Sequence, residues 1–377
     1  LHGAYCCVVH LGVGYVLAGD AIPDVKTTLD ITGFDEVGEP LFETNGFLPF
    51  HDFFHGPDIW STADYKSFIT QIPKLGMNFI GLHTYPIWST TEEKDQDIRQ
   101  GPEAHVWIGL QGDYDDNGNV SWSYPAYYRH TACPYRIWGT ATLNTDQFTC
   151  GSSRLFDRNE WGSDIFGNTM PSPTDSSAWN QVWNQSGEML NEAFGLAQNI
   201  GVKTALGTEL TMGKEPAGPE AGYDWARVMP PDLQSRVADP YDPSTVKNVY
   251  KAVFERIMKT HPLDYYLLWS WEVWTMWGYS TEQVQAFKDD MNRAQEALAE
   301  LDNPFQIGHA GWILGTSDNP AEFEDTFPPE APFYGLWDEA DGFESLSAER
   351  VKWPASWLEE DWGLGQPQIE VNRIWRD

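Results

Sequence analysis

The sequence predicts an α/β fold in which helices cover a parallel β-sheet, and three observations lead to this fold class. From residue 46 onwards, short apolar segments that end in polar groups alternate with amphipathic helical segments. The apolar segments are continuous rather than alternating, which is typical of strands buried on both faces. No glycine-rich phosphate loop follows any of them, so a doubly wound nucleotide-binding sheet lacks support. The expected architecture is a (β/α)8 barrel of the TIM type.

Six strands and four helices are predicted in this part of the chain. Ser61 has the chemistry of a helix N-cap, and the helical segments that follow carry apolar residues at helical spacing. The strands are predicted at 46–53, 77–84, 202–210, 264–272, 305–311 and 331–338, and the helices at 61–75, 180–200, 244–260 and 281–301. A complete barrel has eight strands, so the sequence predicts a barrel that is incomplete at its C-terminal end.

The first 40 residues predict a different unit. A helix-like apolar segment covers 2–11 and a short strand covers 14–19, and these two elements cannot bury their apolar faces alone. We therefore expect 1–40 to be the end of a small N-terminal accessory α/β domain with its linker, and 41–377 to be the barrel. Within the barrel, an insertion at about 85–178 far exceeds ordinary loop length, so it is expected to pass over a functional site.

Charge and aromatic content narrow the classes of function. The 377 residues include 56 Asp and Glu against 23 Lys and Arg, a formal net charge of −33, together with 19 Trp, 16 Tyr and 19 Phe. This charge repels phosphate backbones and anionic membranes, so neither a nucleic-acid partner nor membrane insertion is expected. Carboxylates combined with aromatic rings are typical of proteins that act on carbohydrates. A longer polypeptide or a homo-oligomer could supply the strands that the barrel lacks.

Three features favour an extracellular or cell-surface location. Cys133 and Cys150 flank an irregular stretch that a disulfide would brace. Two sequons, at Asn119 and Asn184, permit N-glycosylation in a secreted protein. The high acidity agrees with both, and the most apolar segment, 4–19, is too short to span a bilayer. An acidic, secreted glycoprotein with a disulfide bond is therefore expected.

Polar or aromatic side chains stand at the end of every predicted strand. In βα barrels the functional site lies at the carboxyl ends of the strands, which makes these residues the candidate site. They are His51, Asp52, His83, Tyr85, Glu209, Trp271, Glu272, Trp274, His309, Trp337, Asp338 and Glu339.

Glu272 is the strongest candidate for a catalytic role. It lies in the run Leu268-Trp-Ser-Trp-Glu-Val-Trp-Thr-Met-Trp. A carboxyl group among indole rings is poorly solvated, which raises its pKa and keeps it protonated near neutral pH. A general acid for glycosidic cleavage needs this property, and indole faces can stack on sugar rings. The alternative is a barrel core in which Glu272 pairs with an arginine.

A second carboxylate is needed, and the sequence offers Glu209, Asp338 and Glu339. Glu209 follows Gly207, which is expected to let the strand turn sharply; it can serve as a catalytic carboxylate, a hydroxyl-binding group or an ion-pair partner. Asp338 and Glu339 follow a strand on the opposite side of a barrel from Glu272, where they could face it across a sugar. A carboxyl separation of about 5 Å would give retention of configuration, and ~6.5–9.5 Å would give inversion.

No metal or other cofactor is expected. His51, Asp52 and His83 are chemically suitable zinc ligands, but no His-x-x-x-His pair or cysteine cluster accompanies them, so sugar hydroxyl binding is favoured. The run 113–120, Asp-Tyr-Asp-Asp-Asn-Gly-Asn-Val, resembles part of a calcium loop but lacks the distant acidic ligand, and a plain turn is expected. No Gly-x-Ser-x-Gly motif supports a serine hydrolase.

Two runs of the sequence resemble a known group of enzymes. The runs GFLPFHDF at 46–53 and MNFIGLHTYP at 77–86 resemble the first barrel turns of large multidomain TIM-barrel glycoside hydrolases, distantly related to the α-glucuronidases and β-hexosaminidases. The segments 3–13 and 19–23 resemble the end of the accessory domain in this group, and 261–269 and 357–364 resemble later parts of its barrel. The resemblance covers most of the chain.

The resemblance implies a partial chain and a pair of catalytic carboxyl groups. It implies that the front of the accessory domain and the last two barrel strands are missing. A general acid after the fourth strand matches Glu272, and a general base after a later strand matches Asp338 or Glu339. β-Hexosaminidases carry an adjacent Asp-Glu pair after the fourth strand, whereas this chain has Trp271 before Glu272. Substrate-assisted N-acetyl chemistry is therefore not expected.

The expected function is a glycoside hydrolase that cleaves a polysaccharide or oligosaccharide by carboxylate general acid/base catalysis. Glu272 is the expected general acid, with Asp338 or Glu209 as base or nucleophile. The alternative is a non-catalytic barrel protein for carbohydrate binding or extracellular structure. A polysaccharide lyase is a third interpretation, for which Tyr85 or His83 could supply the base.

Overall fold

The computed structural model describes residues 13–16, 19–21, 32, 42–48, 62–84, 104–124, 176–209, 212, 229–271, 278–335 and 340–355. Nine strands are described: β1 (Gly14–Val16), β2 (Gly19–Ala21), β3 (Gly46–Phe47), β4 (Phe79–Thr84), β5 (Lys203–Glu209), β6 (Tyr265–Trp269), β7 (Gln306–Gly311), β8 (Pro332–Gly335) and β9 (Val351–Pro354). The helices are α1 (Thr62–Lys74), α2 (Ser176–Asn199), α3 (Pro231–Gln234), α4 (Pro243–Thr260), α5 (Thr281–Ala299) and α6 (Ala340–Glu344), with a 3-10 turn at Glu324–Thr326.

Seven of the strands form one parallel sheet in simple chain order. The order is β3-β4-β5-β6-β7-β8-β9, and every neighbouring pair is parallel. Each strand therefore returns beside its predecessor, as in a barrel, whereas a doubly wound sheet reverses its order at a switch point. The predicted α/β class is confirmed.

The sheet is strongly curled. Strands β4 and β9 are five positions apart, which would separate them by about 24 Å in a flat sheet. Instead the rings of Phe79 on β4 and Trp353 on β9 lie 5.1 Å apart, and Tyr265 on β6 lies 4.8 Å from Trp353. The concave side therefore holds its own apolar core, which agrees with an incomplete TIM-type barrel. This inner core consists of Phe79, Ala205, Leu267, Trp269, Ala310, Trp312, Tyr334 and Trp353.

The convex side of the sheet packs against the helices. Leu206 and Tyr266 point this way, one residue out of step with the inner core, as strand alternation requires. The ring of Tyr266 lies 5.1 Å from Phe254 of α4. Strands β4 to β8 are thus buried on both faces, which explains their continuous apolar sequences.

Local sequence explains where the helices begin. Asp242 caps α4 by accepting hydrogen bonds from the amides of Ser244 (2.9 Å) and Thr245 (3.2 Å), and Pro243 fits the first helical position. Ser280 and Gln283 form a reciprocal capping box at the start of α5. No described helix is long and apolar enough to cross a membrane.

The structure corrects the predicted elements in two places. The strand predicted at 14–19 is an antiparallel pair, β1 with β2. A seventh strand of the parallel sheet, β9, was not predicted, because it is short, half-exposed and carries Lys352 and Pro354 among its four residues. The other predicted strands and helices are confirmed with somewhat shorter or shifted bounds. The predicted helix over 2–11 lies outside the described residues.

The described part of the long insertion packs against helices. Residues 104–124 contribute Val106, Trp107 and Tyr124 to the core on the convex side. The indole of Trp183 on α2 donates to the carbonyl of Tyr124 (3.3 Å), and Arg256 on α4 donates to the carbonyl of Gly118 (3.0 Å). This segment is therefore a structural brace for α2 and α4. The rest of the insertion, with Cys133 and Cys150, lies outside the described residues.

Candidate functional site

Two predicted site residues from neighbouring strands meet on the concave side of the sheet. His83 lies near the carboxyl end of β4 and Glu209 is the last residue of β5. His83 Nε2 and Glu209 Oε2 are 3.2 Å apart, and the two side chains are 0% and 1% exposed. A carboxylate only accepts hydrogen bonds, so with Glu209 ionised the imidazole proton resides on Nε2.

Aromatic residues complete this arrangement. Trp312 Nε1 donates to the same Oε2 of Glu209 at 3.1 Å. The ring of Trp269 contacts His83 edge to face at 4.4 Å, and Tyr334 lies 5.2 Å from Trp269. We call His83, Glu209, Trp269, Trp312 and Tyr334 the carboxyl-end cluster.

The electrostatics of the cluster depend on its burial. An ionised carboxylate removed from water is costly unless hydrogen-bond donors replace the lost solvent. Trp312 donates to Glu209, and His83 Nε2 lies within hydrogen-bond distance of the same oxygen. The three side chains therefore hold one another in fixed orientations, like the supporting layer beneath a functional site.

Gly207 makes the cluster compact. A Cβ atom at this position would lie 2.4 Å from Trp269 Nε1. The glycine therefore lets the indole of Trp269 lie against β5. The expectation that Gly207 lets the strand turn sharply is wrong, because β5 continues through this residue to Glu209.

His309 lies on the other side of the sheet. Its Nδ1 is 3.2 Å from the carbonyl oxygen of Leu268, and it is fully buried on the convex side. Burial lowers the pKa of this imidazole from 6.5 to about 3, so His309 is neutral near pH 7. The rings around it, at 5.0–6.4 Å, are Phe287, Phe323, Phe327 and Phe333. The structure does not bring His309 together with His83 and Glu209.

Trp271 also belongs to the convex side. It is 8% exposed and packs in the large core between sheet and helices. Glu272, the proposed general acid, follows it directly in the sequence and lies outside the described residues. The other predicted site residues outside the described ranges are His51, Asp52, Tyr85, Trp274, Trp337, Asp338 and Glu339.

Three members of the cluster were not predicted from the sequence. Trp269 lies two residues from Leu267, so strand alternation alone would have placed both on the concave side. Tyr334 could have been found in the same way within β8. Trp312 follows the end of β7 directly, and a rule that includes the first residue after each strand would have found it.

The acidic run at 113–120 is a turn, as predicted. The Asp115 side chain accepts hydrogen bonds from the amides of Asn117 and Asn119, both at 2.9 Å. Asp113 forms an ion pair with Arg236 at 2.6 Å, which occupies the carboxylate that a cation would need. Within the described ranges, no group of three or more potential metal ligands is found.

Comparisons with known proteins leave the chain without a family. No protein-family model matches the sequence, and no curated protein matches it. Among solved structures, one match bears the name "putative phosphonomutase" and comes from Burkholderia cenocepacia J2315. That match has 8% sequence identity and a TM-score of 0.25, and it covers 50% of this chain and 74% of the other. A similarity of this size supports no conclusion about function.

Proposed function

We propose that this chain is a glycoside hydrolase that cleaves a polysaccharide or oligosaccharide by carboxylate general acid/base catalysis. The observation that carries the proposal is the carboxyl-end cluster, in which His83, Glu209 and Trp312 form a hydrogen-bonded floor at the end of the sheet where barrel enzymes work. The curled sheet is, in this proposal, part of a (β/α)8 barrel.

The two reacting carboxyl groups of the proposal follow members of this cluster in the sequence. Glu272 follows Trp269 by three residues, and Asp338 follows Tyr334 by four. Glu272 is assigned as general acid and Asp338 as base or nucleophile.

Glu209 is assigned a positioning role. A nucleophile or base must contact the sugar or its attacking water. The Glu209 side chain is 1% exposed and receives donors from His83 and Trp312. These contacts favour Glu209 as the residue that orients His83 and Trp312.

The second candidate is a non-catalytic carbohydrate-binding or structural barrel protein. The same burial favours it, because a buried, hydrogen-bonded polar cluster can serve rigidity alone. In the hydrolase and in the carbohydrate-binding candidate the partner is a carbohydrate, and the acidic, aromatic-rich composition supports an extracellular or cell-surface location.

Replacement of the general acid tests the proposal. Hydrolysis of a panel of polysaccharides and oligosaccharides is followed by release of reducing ends, for the unmodified protein and for Glu272→Gln. The variant should lose about 10²–10⁴-fold in rate, because the amide cannot protonate the leaving oxygen, while sugar binding persists. Glu349→Gln, at an exposed position, is the matched control and should retain full activity.

Two outcomes contradict the enzymatic proposal. Full activity in Glu272→Gln removes this residue from the mechanism. Saturable glycan binding by the unmodified protein without any release of reducing ends favours the non-catalytic candidate.

A further inference from the structure

We propose that Asn119 is an attachment site for an N-linked glycan, and that the second sequon, at Asn184, stays unmodified in the folded protein. The two sequons are Asn119-Val-Ser and Asn184-Gln-Ser, and the motif alone does not separate them. The inference rests on the proposed extracellular location and applies equally to the hydrolase and to the non-catalytic candidate. It is carried by the different surroundings of the two asparagine side chains.

Asn119 lies in an exposed turn. This turn reverses the chain between Tyr114 and Val120, which form an isolated antiparallel bridge, and the Asn119 residue is exposed. Its Nδ2 donates to Asp115 Oδ2 at 3.2 Å. Because an amide nitrogen carries two hydrogens and a glycosylated one keeps one of them, this contact is compatible with the modification. The position therefore has room for a bulky, hydrated substituent.

The turn is attached to the helix-covered side of the sheet. Arg256 on α4 donates to the carbonyl of Gly118 at 3.0 Å, and Lys259 Nζ donates to the carbonyl of Asp116 at 3.4 Å. The carboxyl-end cluster lies on the concave side instead. A glycan on Asn119 therefore starts from the side of the sheet opposite the candidate site.

Asn184 has different surroundings. It lies inside α2, and its Oδ1 accepts a hydrogen bond from the backbone amide of Val120 at 2.8 Å. Val120 is buried, and Ser186, the third residue of this sequon, is fully buried. The Asn184 side chain is therefore part of the contact between α2 and residues 104–124.

The geometry of a glycosylated amide disfavours a glycan at Asn184. A secondary amide strongly prefers the trans form, in which the sugar carbon C1 lies on the same side of the C–N bond as Oδ1. At Asn184 this side faces the amide of Val120. A sugar attached there would displace the segment 104–124 from α2, so the folded protein retains an unmodified Asn184.

The transfer to Asn119 requires a co-reactant, which is an oligosaccharide linked through C1 to a lipid diphosphate. A bond forms between Asn119 Nδ2 and C1, while the bond between C1 and the diphosphate oxygen breaks. The lipid diphosphate leaves with the electron pair of that bond, and Nδ2 loses one proton to a base of the transferase. No oxidant or reductant takes part in this step.

Mapping of glycan sites tests the inference. The full chain is expressed behind a host signal peptide in a eukaryotic cell line, and the secreted protein is collected. Enzymatic removal of N-glycans in heavy-oxygen water converts each modified asparagine to a labelled aspartate. Trypsin places the two sequons on separate peptides, 100–129 and 159–203, which mass spectrometry distinguishes. The secreted protein should carry the label at Asn119 and lack it at Asn184.

Matched variants address each sequon through its hydroxyl group. Ser121→Ala should abolish the label at Asn119, whereas Ser121→Thr preserves the sequon and should retain the label. Ser186→Ala is the control, because it removes the second sequon at a hydroxyl that makes no hydrogen bond within the described ranges. This control should leave the label at Asn119 unchanged.

The outcomes separate this inference from the proposed function. Secreted protein with the label at Asn184 overturns the inference, and so does secreted protein without the label at Asn119. If the chain remains inside the cells, the same criteria apply to the protein that is soluble and resistant to protease there. Neither result changes the proposed function, because reducing-end release by the same protein is measured separately.

Discussion

At the scale of single residues, the indole of Trp312 gives the clearest link between packing and the candidate site. It donates to Glu209 across 103 positions of sequence, while most of its ring is buried in the inner core. Replacement of this donor leaves a buried carboxylate with one donor fewer, which costs more than the hydrogen bond itself contributes in water.

We expect Trp312→Phe to lower the free energy of unfolding by about 2–4 kcal/mol, from the lost donor and the smaller ring. Urea unfolding followed by circular dichroism measures it. Trp353→Phe, in the same inner core, is the control for ring size. Equal losses in the two variants would show that the Trp312–Glu209 hydrogen bond contributes nothing.

Three buried histidines are expected to make the stability of the folded chain decrease at acidic pH. Burial lowers the pKa of His105, His261 and His309 from 6.5 to about 3. Between about pH 3 and pH 6.5, these three histidines are protonated in the unfolded chain but neutral in the folded chain. Stability is therefore complete above about pH 6.5 and decreases towards pH 3, by about 1.4 kcal/mol per pH unit for each histidine.

His309→Phe isolates one of these contributions, since phenylalanine suits the surrounding rings. Between pH 5 and 6, the slope of unfolding free energy against pH should fall by about 1.4 kcal/mol per unit relative to the unmodified protein. His309→Gln is a second neutral variant that should give the same slope. Unchanged slopes in both variants would mean that His309 titrates normally in the folded chain.

At the scale of helices and strands, the surroundings of a glycine determine whether its replacement by alanine stabilises or destabilises the protein. Gly207 lies in β5 directly under Trp269, whereas Gly195 lies in α2 with open space around the position that a Cβ atom would occupy. The first position has no room for a side chain. The second has room, and alanine is the better helix former.

Gly207→Ala should therefore destabilise the protein by about 1–3 kcal/mol, because Trp269 must move within a packed core. Gly195→Ala should stabilise it by up to about 1 kcal/mol. Thermal unfolding of both variants measures the two effects. Stability changes of the same sign would contradict the close approach of Trp269 to β5.

At the scale of the whole molecule, the net charge of −33 opposes the compact state. We expect the melting temperature to rise as NaCl increases from about 0.05 to 1 M, with the largest part of the rise below about 0.2 M, where screening changes fastest. Calorimetry in NaCl and in KCl measures the effect, which should be the same for both salts. A melting temperature that is constant or falls with salt would contradict dominant self-repulsion.

Most of the fold could be predicted because helix and strand periodicities are local properties. The continuous apolar strands and the capped helices can be recognised directly in the sequence. The sequential order of the strands in the sheet agrees with the predicted barrel class. Strand β9 could not be predicted, because its four residues lack the apolar continuity of the buried strands. The candidate site was predicted only in part: the residues His83 and Glu209 were identified, but their mutual contact was not.

The α/β class, the acidic and aromatic character of the chain, and the polar residues His83 and Glu209 near the ends of β4 and β5 all follow from local sequence. Tertiary structure alone decided which of those ends meet. His83 and Glu209 are 126 residues apart and touch because parallel register places His83 beside Gly207, with Glu209 further along the same face. His309 and Trp312 are three residues apart, yet they face opposite sides of the sheet. Side-chain direction depends on register and curvature, which arise from contacts between distant segments.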